Sequence, residues 1–189
     1  MDFLSLVKKS RSYRSFDESA PVSREALVEM VECARFAPSG VNRQALKFLL
    51  SADKETNRQI QNHTKWAGKI THMTLPPEGH RPTGFIVILT DTDIAPNIQA
   101  TKTDVGICAQ TILLKAVEMG FGGCMIGAFD AGAHETLGLS DRYQISLIVA
   151  IGKPDEEIVL EDANGSIDYY RDNRGVHHVP KRKLDELIL

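Results

Sequence analysis

Cysteine is scarce: Cys33, Cys108 and Cys124 are the only three in 189 residues, and no two of them make a CxxC pair. An odd number at wide spacing excludes a disulfide framework and suits a reducing compartment. Long apolar runs are absent too. None is longer than Phe85–Leu89, far short of the roughly 20 residues that a membrane-crossing helix needs. The opening Met1-Asp2-Phe3 lacks the apolar core of a secretory signal. A cytoplasmic protein with no membrane partner is the expectation. There is no surplus of positive charge, since 22 Lys and Arg stand against 25 Asp and Glu, a net charge of −3. Without a basic face the chain is not expected to bind nucleic acid. Internal repeats and low-complexity segments are also missing.

An apolar fraction of 42% supplies a real core, so 1–189 reads as a single domain. Apolar spacing predicts a short helix over 2–10 capped by Asp2. A stronger helix over 24–36 is capped by Ser23, with Val22 and Leu27 as a staple. Pro38 disfavours helix at Ala37 and fixes a turn. Residues 47–52 read as a strand and 53–65 as a polar helix. The stretch 66–83, holding Pro76, Pro77, Gly79 and Pro82, reads as a loop or lid. Phe85–Thr90 and Ile145–Ile151 read as buried strands, and Cys124–Phe129 as a shorter one. Helix 104–119 is apolar over so wide a sector that burial on more than one side is expected, and Gly120 ends it. Helix signals return near 131–138. The tail 157–189 is polar with only short apolar pieces. It is expected to wrap over the domain or a second subunit rather than fold on itself.

The basic residues concentrate at the two chain ends. Arg11-Ser12-Tyr13-Arg14-Ser15-Phe16 follows the first helix, and Lys181-Arg182-Lys183 comes near the last residue. A guanidinium fork meets phosphate in two hydrogen bonds, and Ser12 adds a hydroxyl donor. The plainer reading is a solvated cluster at a helix exit. The turn from Pro38 to Gln44 carries Ser39, Asn42 and Gln44. Their amides and hydroxyl suit a heterocycle with both donors and acceptors, or they form an ordinary polar loop. Gly122-Gly123-Cys124-Met125-Ile126-Gly127 lets backbone amides approach a flat ring, or is a tight helix-to-strand link.

Several motifs are excluded. Gly120-Phe121-Gly122-Gly123-Cys124-Met125 has methionine where a dinucleotide fingerprint needs its third glycine, and it follows a helix. Gly152-Lys153-Pro154 lacks the upstream glycine and the Ser/Thr of a P-loop, and there is no GxSxG elbow. His177 and His178 are adjacent, and His63, His72 and His80 lack an HExxH context, so no metal site is expected. Cys124, in an apolar strand, reads as an inert thiol.

Taken in order, these residues resemble the FMN-dependent nitroreductase family. Arg11-Ser12-Tyr13-Arg14-Ser15-Phe16 is similar to its Arg-Ser-x-Arg-x-Phe motif, and Ala37-Pro38-Ser39 with Asn42 and Gln44 to its Ala-Pro-Ser-x-x-Asn-x-Gln turn. Asp104, Gly106 and Gln110 open the long helix as in the family. Gly123-Cys124-Met125-Ile126-Gly127 and Gly152-Lys153-Pro154 match its later strands, and Arg182 before Leu184-Asp185-Glu186-Leu187-Ile188 its closing segment. The chain departs from the pattern at Ser10, where a second arginine is usual, and at Gln44-Ala45-Leu46, where Gln-Pro-Trp is usual. It is also at the short end for the family.

The resemblance implies an α+β fold: a three-layer sandwich with a mostly antiparallel central sheet flanked by helices. It implies an intertwined homodimer with FMN across the interface and the tail 157–189 wrapping the partner subunit. Arg11, Ser12, Lys181 and Arg182 would hold the phosphate and ribityl end. Arg14 would face the N1/O2 edge of the ring. Ser39 and Asn42, from the other subunit, would meet its pyrimidine edge, and Pro38 and Gln44 of the same turn would also bind the cofactor. Met125 and Ile126 would lead to the amides of Gly127 or Ala128 opposite N5. No side chain acts as a nucleophile, because the flavin carries the chemistry. The implied activity takes hydride from NAD(P)H and reduces small electron-poor acceptors such as nitroaromatics, quinones or flavins. Reductive dehalogenation, flavin fragmentation, a non-enzymatic flavin carrier and a plain dimeric interaction domain are the competing readings.

Overall fold

Three helices start where a short oxygen-bearing side chain meets a free N–H. Asp2 accepts from Ser5 N, Ser23 from Ala26 N and Asp53 from Thr56 N. The structure is a computed structural model and describes residues 1–70 and 73–189. His72 and part of the expected 66–83 loop therefore lie outside the described residues. The chain runs α1 (Phe3–Lys9), β1 (Phe16–Asp17), α2 (Arg24–Arg35), β2 (Leu46–Ser51), α3 (Lys54–Asn62), β3 (Gly84–Asp91), α4 (Lys102–Glu118), β4 (Gly122–Ile126), α5 (Gly132–Thr136) and β5 (Tyr143–Pro154). It ends with β6 (Ile158–Asp162), β7 (Tyr170–Arg171) and β8 (His177–Lys181).

The main sheet is antiparallel throughout. β3 pairs with β2 on one side and β5 on the other. β4 and then β1 follow one another along the far edge of β5. Side chains of β3 and β5 alternate between two cores. Ile86, Ile88, Val149 and Ile151 pack with α2 and α4, through Leu27, Met30, Ile112 and Ala116. Phe85, Val87, Leu89, Ile148 and Ala150 pack on the opposite face with Ile60 of α3 and Leu137. Helices on both faces of an antiparallel sheet make the expected three-layer α+β sandwich. β3 is buried at every position, as its unbroken apolar run requires. No helix among the described residues is long and apolar enough to cross a membrane.

Two expectations need correction. The strand read as Cys124–Phe129 begins two residues earlier, because Gly122 and Gly123 pair with Gly152 and Ile151. A Cβ at Gly122 would stand 2.5 Å from the Tyr13 ring, and one at Gly123 would stand 2.2 Å from the Ala150 carbonyl. The glycines belong to the strand because their neighbours leave no space there. The tail does fold on itself: β6 pairs in parallel with β8, and β7 pairs antiparallel with β8. Its apolar pieces are short because each strand buries only part of itself. A buried ion pair, Arg171 with Glu156, anchors it.

At the other end of the sheet, Asp91 is buried and accepts from Arg142 Nε and Nη2 at 2.8 and 2.7 Å. These bonds hold its carboxyl below the usual range. The Asp91 N–H donates to Ala45 O at 2.9 Å, which pins the turn that enters β2.

Candidate functional site

After α1 the chain turns at the buried Ser10 and runs along β4. Ser12 bridges Gly123 in parallel, and Tyr13 N donates to Gly123 O at 3.0 Å. Arg11 donates through Nη2 to Val7 O at 3.0 Å, while its Nε is buried with no partner. Burial alone pulls its pKa down. A buried orphan donor on a cation is satisfied by an incoming anion. Ser12 is exposed beside it.

Arg14 is held differently. Its N–H donates to the Glu156 carboxylate, and Nη1 donates to Ser12 O at 3.1 Å. Nη1 also lies 3.3 Å from His177 Nε2, and the guanidinium sits 5.2 Å from the centre of the Tyr169 ring. Burial raises the Glu156 pKa against the pull of Arg14 and Arg171. None of these tail partners was legible in the sequence.

The turn after α2 is strained. Val41, Asn42 and Gln44 have φ of 50, 54 and 52°, a region that a β-branched valine enters only under constraint. Ser39 Oγ accepts from Gln44 N at 3.2 Å, and Gln44 Nε2 donates to Asn42 Oδ1 at 3.1 Å. Gly40 N donates to the buried Asp104 at 3.1 Å, which ties the turn to the start of α4. Pro38, Asn42 and Gln44 are exposed. Such strain collects at ligand clamps, so Ser39, Asn42 and Gln44 stand ready as a polar edge.

Beyond β4, Gly127 and Ala128 are exposed, while Met125 is half-buried and Ile126 buried. A Cβ at Gly127 would touch nothing within 4 Å, so its face is open. The segment is fixed from below by Lys65 N donating to Ala128 O at 2.8 Å. His63 adds a lock that the sequence did not reveal, with Nδ1 2.7 Å from Asp130 and Nε2 2.8 Å from Thr136. The His63 contact holds the Asp130 carboxyl below its usual range. Trp66 Nε1 donates to Thr64 Oγ1 at 2.8 Å, so the Trp66 loop begins beside the same segment. Burial pushes the Cys124 thiol up, in keeping with an inert residue.

Lys181 and Arg182 leave the end of β8 exposed, and Arg182 lies 3.5 Å from Glu186. Among the described residues, Arg11 and Ser12 are bonded to Val7, Tyr13, Arg14 and Gly123, and not to Lys181 or Arg182. The structure thus joins Ser12 to β4, with Arg14 bonded to Ser12 O and Arg11 turned back to α1, and joins Ser39, Asn42 and Gln44 to one another. It does not bring the two groups together. Gly40 bonds Asp104, whereas Gly123 lies against Leu113, roughly 13 Å farther along the axis of α4.

An antiparallel three-layer sandwich with an arginine–serine segment on its glycine-rich strand is the framework of a redox flavoprotein family. The chain belongs to that family: the Nitroreductase family model matches residues 7–75 and 79–153. It is 26% identical over 180 residues to the oxygen-insensitive NADPH nitroreductase of Helicobacter acinonychis, covering 78% of this chain and 85% of that one. An FMN-dependent nitroreductase from Clostridium difficile superposes with a TM-score of 0.65 at 27% identity, covering 82% of this chain and 89% of that one. A chain from Desulfovibrio desulfuricans solved in complex with FMN superposes with a TM-score of 0.70 at 26% identity, covering 98% and 94%. The residues here fit that cofactor: an orphan guanidinium donor for a phosphate, an open backbone face for a ring and a strained amide-rich edge.

Proposed function

We propose that this chain is an FMN-dependent oxidoreductase that takes hydride from NAD(P)H and reduces small electron-poor acceptors such as nitroaromatics, quinones or flavins, working as a homodimer. The observation that carries the reading is the separation of two ligand-ready clusters along α4, each suited to half of one flavin. Two copies supply both halves to each site. When bound, FMN provides the hydride and electron chemistry. Arg11 and Ser12 hold the phosphate, with Lys181 and Arg182 at the same end. Arg14 faces the ring edge where negative charge builds. Pro38, Ser39, Asn42 and Gln44 come from the partner and read the pyrimidine edge. Met125 and Ile126 carry the exposed Gly127 and Ala128 to the reactive side. Three unpaired thiols, Cys33, Cys108 and Cys124, suit the cytoplasm.

Several surfaces support the dimer. On α4, Thr103, Gly106 and Gln110 are exposed and Ile107 and Leu114 half-buried, an uncharged stripe. Phe3 and Leu4 of α1 are 71% and 62% exposed. The end of the tail shows Leu184, Leu187 and Ile188 to solvent. A groove of about 410 Å³ runs between α2 and β2, lined by Val28, Val31, Leu46, Phe48 and Leu50. β2 is an edge strand, which leaves outward N–H and C=O groups to pair, although Arg24 Nη1 already donates to Leu50 O at 3.3 Å. The partner's terminal leucines match that groove, and the tail 157–189 embraces the neighbour through them. Removing 183–189 should convert a dimer to a monomer on gel filtration and strip most of its FMN; a flavin-loaded dimer without those residues would contradict this seat.

The function is tested anaerobically. The FMN-loaded protein should lose its yellow absorbance with NADH or NADPH and regain it within seconds on adding a nitroaromatic or quinone. Failure of both nicotinamides to bleach it, with slow reoxidation, would assign a flavin carrier instead.

A further inference from the structure

Residues 155–181 lie beyond the matched family region, which ends at 153, yet they bury a charged cluster against Arg14. β7 and β8 set Arg171 opposite His177. Arg171 pairs with Glu156, and the two side chains are 9% and 3% exposed. Glu156 in turn accepts from the Arg14 N–H. His177 is 2% exposed, and its N–H donates to Glu157 O at 2.9 Å. Its ring lies 5.4 Å from that of Tyr169, on which Arg14 also rests. A guanidinium only donates. The 3.3 Å contact between Arg14 Nη1 and His177 Nε2 therefore places a lone pair on Nε2 and the ring proton on Nδ1. That Nδ1 is buried without a partner. A buried ring that leaves one nitrogen unpaired gives up a hydrogen bond in order to aim the other at Arg14.

We propose that His177 is a positioning residue: as a neutral acceptor it fixes the Arg14 guanidinium for FMN, with the Glu156–Arg171 pair anchoring the tail that carries it. The neutral form agrees with its surroundings. Burial, then Arg14, Arg171 and His178, push the His177 pKa down to about 4. Glu156 and Tyr169 are the other groups that face the cluster. A rotating guanidinium would lose both its orientation and its share of the binding energy, so the tail sets how firmly Arg14 is held. The inference rests on the reading of Arg14 as a flavin contact.

The test is FMN titration of the apoprotein by fluorescence quenching, with thermal melts of each apo variant alongside. His177→Phe keeps the ring volume and removes the acceptor; it should weaken FMN about tenfold. His177→Gln, whose carbonyl reaches the same guanidinium, should recover affinity to within about threefold of the natural chain. In an Arg14→Ala background, His177→Phe should add nothing. If the phenylalanine variant does not fold, His177→Met takes its place in the same comparison. Unchanged affinity in His177→Phe, no recovery in His177→Gln, or an equal loss without Arg14 would each overturn the inference. Arg14→Ala binding FMN as well as the natural chain would instead refute the contact on which it rests.

Discussion

Replacing Arg14 with alanine should weaken FMN binding by tenfold or more and lower the midpoint potential of the bound flavin by tens of millivolts. A hydrogen bond to a charged group is worth about 1.5–3 kcal/mol, and each tenfold in affinity corresponds to about 1.4 kcal/mol. For the potential, a unit charge about 4 Å from the charge that builds on reduction contributes roughly 4 kcal/mol at an effective dielectric of 20. For a two-electron couple, about 1.4 kcal/mol corresponds to about 30 mV, so the shift survives heavy screening. The residue is well suited to this. It is half-buried, and its fork is held by Ser12 O and His177 rather than by a carboxylate. Glu156 meets its backbone N–H instead, which leaves the positive charge available. Spectroelectrochemistry on fully loaded protein reads the outcome; a potential equal to that of the natural chain would remove Arg14 from the ring edge.

Valine at Gly123 should cost the fold about 3 kcal/mol, a drop of roughly 10 °C in the melting midpoint of a chain this size. A Cβ there would stand 2.2 Å from the Ala150 carbonyl and 2.7 Å from Leu113 Cδ2. The first neighbour is backbone in the central strand and does not yield. The second belongs to α4, so strain spreads into the core under the arginine segment. Gly127→Ala is the contrast, since a Cβ there meets nothing within 4 Å; its apo melt should stay within about 0.5 kcal/mol of the natural chain. Calorimetry on apoprotein separates the two, and equal melts would show that β4 does not press on β5 as described.

The core was legible because local pattern and burial coincide. Phe85–Leu89 had to be covered on both faces, and it is. The wide apolar sector of α4 meets α2, β4 and β5. Caps at Asp2 and Ser23 placed two helix starts within a residue or two. The β4 start was misplaced because glycine carries no strand signal of its own; Gly122 and Gly123 are in the ladder through contacts with Tyr13 and Ala150, distant in the chain. The tail sheet stayed hidden for a similar reason. Ile158–Leu160 and Val176–Val179 are too short to show a period, and their parallel pairing spans a polar excursion. Among the candidate site residues, chemistry-bearing types at motif spacing singled out Arg11, Ser12, Ser39 and Asn42 for the proposal. His177 was invisible as a partner of Arg14, because only folding brings a residue 163 positions away within 3.3 Å. The His63 lock on Asp130 and Thr136 is equally non-local.

The central claim is that two copies of the chain jointly build each flavin site. Light scattering coupled to gel filtration, with flavin absorbance read across the same peak, tests it most directly. The expected result is a particle of about twice 20.9 kDa carrying two FMN. A yellow species at the mass of one chain, or a dimer that stays colourless in excess FMN, would contradict it.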